Sequence, residues 1–111
     1  MEKIHFEDWK KLDMRVGKIL AVERIPRSER LYKFQVDVGL EKPVQTIASL
    51  VSYYKEDELL HQKIVVIVNM KPAKFAGEPS EAMLLCAEKE DKSRCVLLTV
   101  QKDIEVGTPI T

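Results

Sequence analysis

Apolar residues recur along most of this chain at a spacing of two, the period of half-buried β-strands. Met14 to Ile25, MRVGKILAVERI, starts in alternation at Met14 and Val16 and moves to Ile19 and Ala21 after Gly17-Lys18. A phase change at a glycine predicts a bulge or sharp bend within one long strand. Leu31 to Val38 alternates cleanly, with Tyr32, Phe34, Val36 and Val38 on one face and Lys33, Gln35 and Asp37 on the other. Val44 to Val51 reads as a third strand. Lys63 to Val68, KIVVIV, is a nearly continuous β-branched run, the mark of a strand buried on both sides. KEDELL at 55–60 carries its acids early and its leucines late, which suits a short helix whose N-terminal dipole favours negative charge. Phe6 to Leu12 predicts another short helix, with Phe6 and Trp9 on one side. Ala82 to Ala87 and Cys95 to Val100 predict a hairpin around EKEDKSR, and the tail DIEVGTPIT is expected to close one more short pairing.

The order is three strands, a short helix, a strand, a loop and a further strand with a hairpin partner. With a bent first strand that can serve both halves of a barrel, this is the plan of an all-β, five-stranded OB-fold barrel. It carries a short helix between strands 3 and 4, a short N-terminal helix and an extra C-terminal hairpin. Such barrels bind oligonucleotides on the strand 2–3 face and with the loops between strands 1–2 and 4–5. Here those loops are PRSER at 26–30 and MKPAKFAGEPSE at 70–81. The chain shows no internal repeat or low-complexity segment, and its 111 residues predict a single domain over 1–111.

Charge refines this picture. The chain has 18 basic and 18 acidic residues, a net charge of zero, so any nucleic-acid binding has to come from a local patch. Between Arg15 and Lys33, the cations Arg15, Lys18, Arg24, Arg27, Arg30 and Lys33 stand against only Glu23 and Glu29. Lys71 and Lys74 add to them from the 4–5 loop, while the acids concentrate at 55–58 and 88–91. Converging basic segments of this kind contact phosphates. Phe75 and Tyr32 are candidate stacking partners for bases. Tyr32 also fits the core, and Phe75 also fits a plug at one barrel end.

No nucleophile–base pair, carboxylate dyad, phosphate loop or metal cluster is legible, so neither catalysis nor a cofactor is expected. Cys86 and Cys95 form no CxxC pair and lie far from His5 and His61; zinc is not expected. A hairpin joining 84–88 to 95–99 would place the two cysteines roughly opposite each other, as half-buried thiols or, alternatively, as a cross-strand disulfide. No apolar run approaches the ~20 residues of a membrane span. The N-terminus is too acidic and interrupted for a signal peptide, so a cytoplasmic protein is expected.

Four blocks, DMRVGKIL at 13–20, LYKFQVDVG at 31–39, Tyr53-Tyr54 before KEDELL, and NMKPAKFAGEPSEAMLL at 69–85, together resemble the tRNA-binding domain family. That family includes the C-terminal domain of methionyl-tRNA synthetases, free-standing tRNA-binding proteins and a bacterial secretion chaperone. The most specific part is N-x-K-P-x-K-x-x-G-x-x-S-x-x-M, matched by Asn69, Lys71, Pro72, Lys74, Gly77, Ser80 and Met83. The resemblance implies a non-catalytic OB-fold that binds tRNA by shape and backbone, acting as a homodimer, with an aminoacyl-tRNA synthetase as a further partner. It places Asn69, Lys71, Lys74, Ser80 and Met83 on the ligand side, with Arg15, Lys18 and Lys33 as further candidates on the barrel face. Asn69 is equally read as a loop cap, and Met83 as core. Synthetase-type members carry glycine in place of Ser49 and Ser-x-Gly-Met in place of Ser80-Glu81-Ala82-Met83. The chaperone-like branch carries Ser-Glu at the second site, but its lysine-proline motif is altered where KPAK is intact here. A chaperone-like or synthetase-associated protein-interaction role is therefore the alternative.

Overall fold

The computed structural model describes residues 1–111. Its main sheet is antiparallel and five-stranded, built from β1 (Met14–Arg24), β2 (Tyr32–Asp37), β3 (Val44–Ala48), β4 (Lys63–Ile67) and β7 (Met83–Leu84), in the order β3-β2-β1-β4-β7. Helices α1 (Phe6–Trp9) and α2 (Glu56–Leu59), two-stranded β5 (Ala73–Phe75) with β6 (Glu78–Ser80), and β8 (Cys86–Glu88) with β9 (Cys95–Leu97) complete it. The edges of the sheet approach each other. Thr46 Oγ1 donates to the Ala82 carbonyl at 2.8 Å, the Ile47 N–H donates to Ser80 Oγ at 3.1 Å, and the Glu81 N–H donates to the Gln45 carbonyl at 2.8 Å. The result is the nearly closed OB-fold barrel that the element order predicts.

β1 serves both halves of that barrel. Residues Met14 to Lys18 pair with β4, and Lys18 to Arg24 pair with β2. Gly17 and Ile19 alternate regularly on the inner face while Met14 packs outside the barrel, so the apolar shift at Gly17 is a change of face, and the predicted irregularity falls three residues later, between Ile19 and Ala21. The two features separate because they have different causes. Gly17 is where the neighbouring strands crowd the backbone, while the extra residue, Leu20, is accommodated where β1 has already left β4. The edge of β1 that β2 does not reach is covered by the tail: the Val16 N–H donates to the Thr108 carbonyl, and Val16 and Met14 carbonyls accept from Gly107 and Ile110.

The core collects Ile19, Tyr32, Phe34, Val36, Val38, Leu50, Leu59, Ile64, Val66 and Leu84, all buried. The inward face read from LYKFQVDV is thus the observed one. β4 is buried on both sides because Val65 and Ile67 join Met14 in a second cluster outside the barrel, covered by Trp9, Leu85 and Ile110. This cluster anchors α1, which is shorter than the predicted Phe6–Leu12 and leaves Phe6 exposed. The Tyr53-Tyr54 pair straps the segment after β3 to the C-terminal hairpin. Tyr53 Oη donates to the Lys92 carbonyl at 2.7 Å, and Tyr54 Oη accepts from the Leu97 N–H at 3.1 Å.

Two sequence expectations need correction. Residues 70–81 are not an open loop: β5 and β6 form a tight hairpin across Ala76-Gly77, both at positive φ (51° and 81°). Two such central residues match the right-handed twist of the flanking strands. The predicted hairpin of Ala82–Ala87 with Cys95–Val100 is also narrower. Met83 and Leu84 pair with Ile67 and Val66, closing the barrel, and only Cys86–Glu88 pairs with β9. Its register sets Cys86 opposite Leu97 and Cys95 opposite Glu88, so the thiols are diagonal neighbours rather than a facing pair. Both are free, Cys95 buried and Cys86 half-buried.

Burial first, and then the neighbouring Cys95, push the Cys86 thiol up from its ordinary value of 9.0 to about 12. The folded chain therefore keeps a proton that the unfolded chain releases. Stability from this group is complete below pH 9 and lost as pH rises towards about 12. Between these values the melting temperature of the wild type should fall more steeply with pH than that of Cys86→Ala. Parallel slopes would refute the assignment.

Candidate nucleic-acid interface

Strand alternation sets Lys33 and Gln35 of β2, and Gln45 and Ile47 of β3, on the outer face of the barrel, opposite the core residues Phe34 and Val36. Lys33 lies directly across from Ile47 and Gln35 from Gln45, and the Gln35 amide donates to Gln45 Oε1 at 2.8 Å. The β5–β6 hairpin leans over this face. Gln45 Nε2 donates to the Pro79 carbonyl at 2.8 Å, and Glu78 Oε1 reaches Lys33 Nζ at 2.7 Å.

Two recesses result. The first is a polar cleft of about 330 Å³ between the 1–2 turn and the hairpin tip, lined by Arg24, Pro26, Arg27, Lys33, Gly77 and Glu78, among others. The turn is shaped by Ser28, whose Oγ accepts from the Arg30 and Leu31 N–H groups at 3.2 Å. The second is a niche of about 110 Å³ under the hairpin, lined mainly by Ile47, Met70, Ala73, Phe75, Ala82 and Met83, with Lys71 in its wall.

The candidate residues named from sequence fall into distinct settings. Lys71 and Lys74 are exposed and have no carboxylate within ion-pair distance. They do not share a face: Ala73 and Phe75 of β5 turn to the niche, and Lys74, between them, turns away. Phe75 and Met83 are both close to half exposed, at 47% and 46%, so neither is core. Asn69 ties α1 to the start of the hairpin segment: its Oδ1 accepts from the Asp13 N–H at 2.9 Å and its Nδ2 donates to the Lys11 carbonyl at 2.6 Å. Ser80 is buried. Its Oγ accepts from the Ile47 N–H at 3.1 Å and donates to the Ala82 carbonyl at 3.1 Å. Tyr32 is buried, with its hydroxyl donating to the Tyr54 carbonyl at 2.8 Å.

The barrel-face cations are differently placed. Lys33 is held between Glu78 and Glu23, at 2.7 and 3.2 Å, and the hydrogen bonds it donates to these two carboxylates raise its pKa. Arg15 is paired through two nitrogens with Asp13, at 3.0 and 3.1 Å, and its pKa is raised by that contact. Lys18 lies on β1 beside Asp37 and Lys63 in the ladders; neither it nor Arg15 lines the cleft or the niche. The cleft instead presents Arg24 and Arg27, neither ion-paired, with the Arg27 guanidinium close enough to Gly77 that a Cβ there would lie 3.1 Å from it. These two arginines were visible in the sequence only as part of a charge surplus. The density of arginines in the turn between strands 1 and 2 was the signal that could have singled them out.

No three His, Cys, Asp or Glu side chains converge on a common point, and no helix is long and apolar enough to cross a membrane. The arrangement offers uncommitted cations at the rims of two recesses, with apolar side chains lining the second. That combination suits a polyanion carrying flat apolar groups.

Known proteins resemble the chain along nearly its whole length. The chain is 44% identical over 110 residues to a methionine–tRNA ligase of Methanocaldococcus jannaschii, covering 99% of this chain and 17% of the ligase. It is 41% identical over 110 residues to that of Methanosarcina acetivorans, covering 99% and 15%. The chain thus spans about a sixth of the length of these curated relatives. Among solved structures it resembles a MetRS-related protein from Pyrococcus horikoshii, with a TM-score of 0.91 and 32% identity, covering 100% of both chains. It also resembles the chaperone CsaA of Bacillus anthracis str. Ames, with a TM-score of 0.88 and 30% identity, covering 99% of this chain and 100% of that one. Residues 14–109, nearly the whole barrel with its tail, match the family described as "Putative tRNA binding domain", and the chain belongs to that family.

Proposed function

We propose that this domain binds tRNA without catalysis, recognising shape and backbone through the outer face of β2–β3, the 1–2 turn and the β5–β6 hairpin. The observation that carries the reading is the set of unpaired cations there, Lys71, Lys74, Arg24 and Arg27, in a chain of zero net charge. Lys71 and Lys74 meet phosphates. Asn69 and Ser80 hold the two roots of the hairpin, and Met83 and Phe75 contribute apolar surface. Arg15, Lys18 and Lys33 act at longer range, since two of the three already face carboxylates. The protein works in the cytoplasm as a free-standing homodimer, where two weak surfaces gain by effective concentration, and an aminoacyl-tRNA synthetase is a further partner.

Lys71→Ala should weaken binding to different tRNAs alike and flatten the slope of log affinity against log salt by about one unit. Filter binding at several salt concentrations checks it; unchanged affinity and unchanged slope would sink the assignment. A second reading, a chaperone for unfolded chains, is favoured by the likeness to CsaA and by the exposed apolar side chains Met70, Phe75 and Met83. A gel shift with bulk tRNA, run beside an aggregation-suppression assay, separates the two.

A further inference from the structure

We infer that the niche beneath the β5–β6 hairpin is a subsite for a single unpaired nucleobase of the bound RNA, with Lys71 facing that nucleotide's phosphate. The inference rests on the tRNA-binding reading and specifies what the apolar part of the surface does. At about 110 Å³ the niche is well below the ~300 Å³ at which sites for whole small molecules begin, so it admits one group of a larger ligand. Three large apolar side chains on its walls, Met70, Phe75 and Met83, are 41%, 47% and 46% exposed, a concentration that marks a contact surface. Phe75 supplies a ring for stacking, and the two thioethers adapt to whatever lies against them.

The charge pattern selects the occupant. Lys71 is the only charged residue of the lining. An apolar hollow with one cation and no carboxylate fits a base attached to a phosphate. Bases within a duplex are stacked and cannot enter, so the niche selects unpaired nucleotides. It does not read their identity. The one side-chain hydroxyl in the lining, Ser80 Oγ, already accepts from the Ile47 N–H and donates to the Ala82 carbonyl. No free donor–acceptor pair is left to discriminate base edges.

The test uses two RNAs with the same stem: a hairpin with 2-aminopurine in its loop, and a blunt duplex with 2-aminopurine in the stem. On titration with wild-type protein, saturable fluorescence change is expected for the looped RNA and not for the duplex. Phe75→Ala should bind the looped RNA about 10-fold more weakly and the duplex with unchanged affinity. Phe75→Trp should restore loop binding. The side chain is half exposed, so these variants are expected to fold, which circular dichroism confirms. Loop bases A, C, G and U should bind within a few-fold of one another. Equal weakening of both RNAs by Phe75→Ala, or of neither, overturns the base subsite while tRNA binding by the wild type leaves the broader reading standing. Loss of aggregation suppression in Phe75→Ala with looped-RNA affinity intact assigns the niche to polypeptide and also overturns it. Wild-type protein that binds no tRNA at low salt overturns both proposals.

Discussion

Phe34→Ala is expected to lower the unfolding free energy by about 3–5 kcal/mol. Phe34 is fully buried in the middle of β2, packed edge-on against Tyr32 with ring centroids 5.9 Å apart and directly opposite Thr46 of β3. Strands on both sides fix its surroundings, since Val22 of β1 is its other ladder partner. Collapse into the vacated volume would have to distort two ladders, so the cavity persists and the full cost is felt. Small domains have only about 5–15 kcal/mol in total, so this variant should sit near the folding threshold. Urea denaturation followed by circular dichroism measures the effect. Phe6→Ala is the control: the same side chain lost from an exposed site on α1 should change stability by less than about 0.5 kcal/mol. Comparable losses for the two variants would contradict the placement of the core.

Gly17→Ala should also destabilise, by about 1–3 kcal/mol, although alanine replaces glycine in an ordinary strand at a gain. The reversal comes from local crowding. A Cβ at position 17 would lie 2.8 Å from Val36 Cγ1, 3.0 Å from Val66 Cγ2 and 3.3 Å from the Asp37 carbonyl oxygen. Both valines are fully buried and stiff at χ1, so neither methyl can swing aside without displacing its strand. The cause can be isolated. In a Val36→Ala background one obstructing methyl is gone, and Gly17→Ala should cost less than in the wild type. Strict additivity of the two substitutions, within about 0.5 kcal/mol, would show that the crowding is not the cause.

These two positions mark how much of the fold is legible in the sequence. The inward row of β2 was legible because period-two alternation is a local property of a pleated strand. The double burial of β4 was legible because nothing polar interrupts KIVVIV. Gly17 was recognisable as a break in phase, but the bulge itself, at Leu20, was not, because it depends on where β1 passes from one partner to the other. The β5–β6 hairpin is hidden in the sequence: two prolines and two lysines mask a three-residue strand pattern, and Ala76 is not a residue that advertises positive φ.

The candidate surface divides in the same way. Lys71 and Lys74 were nameable from spacing alone, but which of them faces the niche follows from the alternation of a strand that the sequence concealed. Lys33, Arg15 and Asn69 looked equally available as letters. Only folding brings Glu78 to Lys33 across 45 positions, and Lys11 and Asp13 to Asn69 across more than 50.

By itself, the sequence determined the strand faces, the order of elements and hence the OB barrel, and the motif that marks the family. These are properties of neighbouring residues and of a short list of allowed topologies. The tertiary structure decided which polar side chains remain free for a ligand. At Lys33 and Asn69 the side chain is consumed by contacts between distant segments, which no local pattern records; the Arg15–Asp13 pair, two residues apart, is the local exception.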